Sequence, residues 1–159
     1  MIILYVLIIL IVIVLVGSYA IRRRKRKRAL LVVQSASRHD VTLAMAKVSD
    51  ALKKQKVILT GQTDTTPKLV SDIWGRGVLA FEFSFGKTDL QKNELESLRH
   101  WINEVVKKYA KDNNIQSRFE YPVFCVTDIW LYHEELHVDV ANVINEPTRE
   151  YIEDLHKVE

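Results

Sequence analysis

The sequence predicts an α+β chain: a single N-terminal transmembrane helix followed by a small split β-α-β (ferredoxin-like) sandwich. Three observations predict it. The residues after Met1 are uncharged and mostly Ile, Leu and Val as far as Ile21, a run of seven basic residues follows, and residues 29–159 then alternate between helical and strand-like apolar patterns.

The apolar run is IILYVLIILIVIVLVGSYAI, Ile2 to Ile21. At 1.5 Å per residue such a helix reaches about 30 Å, the thickness of a bilayer's hydrocarbon core. Tyr5 and Tyr19 lie near its ends, where amphipathic rings favour the interface. A cleavable signal peptide has basic residues before a shorter apolar core. Here the basic residues come after it: Arg22, Arg23, Arg24, Lys25, Arg26, Lys27 and Arg28. Lys and Arg are retained on the cytoplasmic side, so the expected placement is in the cell (inner) membrane, N-terminus outside and C-terminal domain in the cytoplasm. The same block suits anionic lipid heads, at about 1 kcal/mol per basic residue. The expected organisation is a span over 1–21, a basic juxtamembrane segment over 22–28 and a cytoplasmic α+β domain over 29–159.

Charge argues against nucleic acid as a partner. Seven of the 23 Lys and Arg lie in the block, which leaves 16 against all 20 Asp and Glu, so the domain is near −4. A phosphate-binding footprint needs the opposite sign. The single cysteine, Cys125, lies among Val123, Phe124 and Val126 and reads as a structural thiol, with no partner for a disulfide.

Within the domain, Ala29–Gln34 (ALLVVQ) reads as a buried strand. Ser37–Asp40 offers caps, and Val41, Met45, Val48 and Leu52 recur at helical spacing to about Lys56. Val57–Thr60 reads as a short strand, and the polar stretch Gly61–Gly77 as a loop. In Val78–Phe85, Leu79, Phe81, Phe83 and Phe85 share one face, with Val78, Ala80, Glu82 and Ser84 on the other. Thr88 and Gln91 have capping-box spacing ahead of the stripe Leu95, Leu98, Ile102, Val105 and Tyr109. Phe119–Tyr132 and Leu136–Ile144 read as strands joined by a turn near His133–Glu135, and Pro147 opens a last helix.

One string carries specific chemistry. His133-Glu134-Glu135-Leu136-His137 matches H-E-x-x-H, which on a helix lets two histidines share zinc while the Glu activates water. That would make the chain a small membrane-bound zinc metallopeptidase, with Glu134 as base. The flanking Trp130, Tyr132, Val138 and Val140 favour strand instead, so a hairpin turn is the expected structure, with no metal and no cofactor. His39 and His100 read as helix-surface residues. Gly86-Lys87-Thr88 lacks the glycine that a phosphate-binding loop requires five positions earlier. Among the aromatic residues, Trp74 and Trp130 are the candidates for a partner-binding surface if helices cover one sheet face alone.

Three segments carry a resemblance: LLVVQSASRHDVTLAMAKVSDALKKQKVIL (Leu30–Leu59), GVLAFEFSFGKTDLQ (Gly77–Gln91) and EPTREYIEDLHKV (Glu146–Val158). In them, and in the order of apolar run, basic block and α+β domain, the chain resembles the ZipA family of single-pass cell-division proteins. The segments cover under half of the domain. The chain departs from that pattern in having no Pro/Gln-rich linker, a short Gly61–Gly77 region and a long Phe119–Ile144 strand pair. The resemblance implies a cytoplasmic sheet face that binds the C-terminal tail of FtsZ. The expected function is therefore a non-enzymatic, membrane-anchored protein-interaction domain, with a structural subunit of a membrane complex as the bland counterpart.

Overall fold

The computed structural model describes residues 2–58, 64–70 and 77–158, with side chains 2–9, 64, 65 and 158 left aside. It has two compact units, Met1–Ser35 and Ala36–Glu159.

Helix α1 runs from Ile2 to Lys54. It includes the basic block, the stretch 29–34 expected as a strand and the residues 37–40 expected as a cap. Lys, Arg, Ala and Leu are good helix formers, and no proline interrupts them. Ser37, Val41, Ala44, Met45, Val48, Ser49 and Leu52 are all buried, a stripe at helical spacing that puts Ser37 inside the helix rather than at its start. Lys56 ends it in the left-handed region (φ 57°), while the Val57 N–H donates to the Leu52 carbonyl. Among the described residues no helix is long and apolar enough to cross a membrane, which corrects the span expected over 1–21.

The second unit holds a four-stranded sheet in the order β1-β2-β4-β3, every neighbouring pair antiparallel. The strands are β1 (Asp64–Leu69), β2 (Ala80–Lys87), β3 (Phe124–Tyr132) and β4 (Glu135–Asn142), with helices α2 (Leu95–Asp112) and α3 (Glu146–Val158). The fold is α+β, but the ferredoxin-like plan is corrected. Its first strand is part of α1, and β1 lies in the stretch expected as a loop. Residues 59 and 60 of the expected second strand lie outside the described residues. The capping box is one turn later than expected: the Gln91 N–H donates to Glu94 Oε2 (2.7 Å), while the Thr88 hydroxyl donates to the Val57 carbonyl (2.7 Å).

The first sheet face is dry. Phe81, Phe83 and Phe85 of β2 and Leu136, Val138 and Val140 of β4 pack with Val41, Met45, Val48 and Leu52 of α1 and with Ile102 and Val106 of α2. On the second face α3 brings Tyr151 and Ile152 against Ala80, Ala141 and Val143, with Cys125 at the margin. Asn145 fixes the start of α3, accepting from the Thr148 N–H (3.0 Å) and donating to the Gly77 carbonyl (2.8 Å). The Thr148 hydroxyl in turn accepts from the buried Leu79 N–H (2.9 Å).

Candidate functional site

Strand alternation places Glu82, Ser84, His137 and Asp139 opposite the phenylalanine face, and cross-strand register brings them together. Glu82 lies opposite Asp139, Ser84 opposite His137, and Trp130 opposite His137 on the other side. His137 is 8% exposed. Its Nδ1 lies 3.0 Å from Glu82 Oε1, and its ring stacks on Trp130 with centroids 5.2 Å apart. Tyr132 meets the same ring edge-on at 6.2 Å and is itself 60% exposed. Trp130, Glu82, Ser84 and Glu135 are half-buried. This end of the second face thus combines aromatic surface with carboxylates.

Asp139 is the enclosed member. Burial, and then the charges of Glu82 and Asp128, push its carboxyl up to about 7. His137 Nε2 and Asp139 Oδ1 are buried without a hydrogen-bond partner.

The H-E-x-x-H residues are dispersed. His133 and Glu134 form the two-residue β3–β4 turn, with φ of 47° and 66°. The His133 ring lies against Tyr132 (4.3 Å), while Glu134 pairs with Lys87 (3.1 Å). His137 is on the sheet face, engaged with Glu82. The zinc geometry needs a helix that this segment does not form. Among the described residues no group of His, Cys, Asp and Glu could hold a metal ion. Trp74 lies outside the described residues. Arg22 to Arg28 are exposed on α1. His39 is exposed, and His100 pairs with Glu96 (3.3 Å).

The Glu82–His137 pair has the parts of a general base, but the Ser84 hydroxyl beside it is directed to Glu135 (3.5 Å). Two cavities of the domain lie elsewhere. One of about 480 Å³ is lined by Lys107, Lys111, Ile115, Tyr121 and Phe124, and the other by Ser117, Phe119, Arg149 and Glu153. The cluster is a surface patch rather than a reaction chamber. The sequence pattern puts Glu82 on the face opposite the phenylalanines and Asp139 within a strand. Their meeting depends on strand register, which no local signal gave.

No protein family matches the chain, and neither does any curated protein or solved structure.

Proposed function

We propose that the α+β domain is a non-enzymatic interaction module whose partner segment lies on the open end of the second sheet face. The observation that carries this reading is the stack of Trp130 on His137 beside the 60% exposed Tyr132. Tyrosine and tryptophan are the residues on which interfaces concentrate their energy. The carboxylates around them (Glu82, Asp128 and Glu135) ask for a segment bearing at least one Arg or Lys beside an apolar side chain.

Both sheet edges argue for binding on the face. Pro67 interrupts the donors of edge strand β1. Edge strand β3 shifts register between Val126 and Asp128, and side chains of α2 occupy its backbone there. The Val126 N–H donates to Asn103 Oδ1 (2.9 Å), and its carbonyl accepts from Arg99 Nε (3.4 Å). A partner strand cannot extend a sheet blunted in this way.

The N-terminal unit supports a membrane-surface placement. Leu10 to Val16 are all exposed, and a contiguous apolar surface next to a basic block suits an anionic bilayer. In this reading the domain works on the cytoplasmic side as a ZipA-like adaptor, and the C-terminal tail of FtsZ is the partner to test first. The test is titration of the full-length chain with that tail peptide, followed by NMR shifts. Saturable shifts at Glu82, Trp130, Tyr132 and Glu135, lost in Trp130→Ala with the remaining spectrum intact, are expected. Shifts confined to the α1–α2 side, or none, would remove the FtsZ assignment.

A further inference from the structure

Glu82, Asp139 and Asp128 stand in a row across β2, β4 and β3: Glu82 is in register with Asp139, and Asp139 with Asp128. Like charges directly opposite on a sheet repel. The middle carboxyl is also the most enclosed, Asp139 being 8% exposed with Oδ1 making no hydrogen bond. Among the described residues, the groups that face it come from β2, β3, β4 and α3. Glu82 stands on β2, and Asp128, Thr127 and Cys125 on β3. His137 shares its own strand with Nδ1 already given to Glu82, and Tyr151 comes from α3. The nearest lysine by register, Lys68 of β1, lies across from Glu82 on the side away from Asp139.

We infer that Asp139 keeps its proton in the folded domain well above the ordinary carboxylate range, and that its ionisation loosens α3 from the sheet. A carboxylate buried without a cation costs several kcal/mol, whereas the neutral acid avoids that penalty. Desolvation, then the repulsion of Glu82 and Asp128, raises the carboxyl from 3.8 to about 7. The link to α3 is a chain of contacts. Tyr151, 9% exposed, hydrogen-bonds Thr127, and the Thr127 hydroxyl donates to the Asp139 carbonyl (3.4 Å). Hydrating an anion at Asp139 means opening the packing around it, and Tyr151 of α3 lies close enough to feel its charge. The start of α3 stays anchored through Asn145 and Thr148, so the opening belongs to the turns around and after Tyr151.

The sign follows from linkage. The folded state binds this proton more tightly than the unfolded chain. The stabilisation is therefore complete below about 3.8 and is lost as pH rises through about 7.

The experiment uses the full-length chain. The Asp139 carboxyl is titrated by carbon NMR, and α3 amide exchange is compared at low and high pH after correction for intrinsic rates. A midpoint near 7 is expected, with protection around Tyr151 falling tenfold or more across it and Asp139→Asn abolishing that fall. A midpoint near 4 would overturn the inference, as would unchanged α3 protection across the titration or an equal fall in Asp139→Asn. If that variant does not fold, the titration and exchange of the native chain decide the matter alone.

Discussion

His133 and Glu134 show how one residue's backbone decides between two chemistries. Both have positive φ, in a two-residue turn between antiparallel strands. Histidine enters this region more readily than most residues, but Glu134 does not; for an L-residue the left-handed conformation costs roughly 1–2 kcal/mol. The exposed Lys87–Glu134 ion pair returns about 0–1 kcal/mol at most. Replacing the pair by Asn-Gly, the sequence such turns favour, should therefore stabilise the domain by about 1 kcal/mol. Urea unfolding would read this as a raised midpoint at unchanged slope, and a lowered midpoint would contradict it. The turn was legible because Trp130 and Tyr132 before it, and Val138 and Val140 after it, are strand formers. The partnership of Glu82 with His137 was not. The two are 55 positions apart, and alternation says which face a side chain takes without saying what it meets there.

At the scale of elements, local pattern served best where burial is one-sided. The phenylalanines of β2 alternate with polar residues and belong to a strand, and the stripe through Leu98, Ile102 and Val105 belongs to the helix α2, which buries Ile102 and the neighbouring Val106 most deeply. Ala29–Gln34 misled for a physical reason. Short apolar runs with paired valines fit either state, and here the helix on both sides carries them. Asp64–Leu69 misled in the opposite way: its Pro67 and polar residues look like loop, yet an edge strand tolerates proline. The length of α1 bears on its proposed role. Leu10 to Val16 are exposed ahead of seven basic residues in one helix. Full-length chain should bind vesicles containing phosphatidylglycerol, and replacing Arg22 to Arg28 with Gln should weaken binding by up to about 1 kcal/mol per residue. Flotation at low and high salt checks this; binding unaffected by either the replacement or salt would remove the membrane-surface role of the block.

For the whole molecule, the arrangement of layers explains why, among the described residues, no helix covers the Trp130 end of the second sheet face. Among the described residues, both α1 and α2 pack on the phenylalanine face, and α3 packs on the Ala80, Ala141 and Val143 part of the other, with Tyr151 near Asp139. The insertion of β4 between β2 and β3 was not legible, because it depends on which hairpins close. That topology is what brings Glu82, His137 and Trp130 side by side. The most direct test of the docking claim is site-specific photo-crosslinking in intact cells, with the probe at Tyr132 on the open face and, separately, at Lys108 on the exposed surface of α2. A discrete protein adduct is expected from position 132, disappearing in the Trp130→Ala background and absent from position 108. Equal labelling from both positions, or none from position 132, would contradict it.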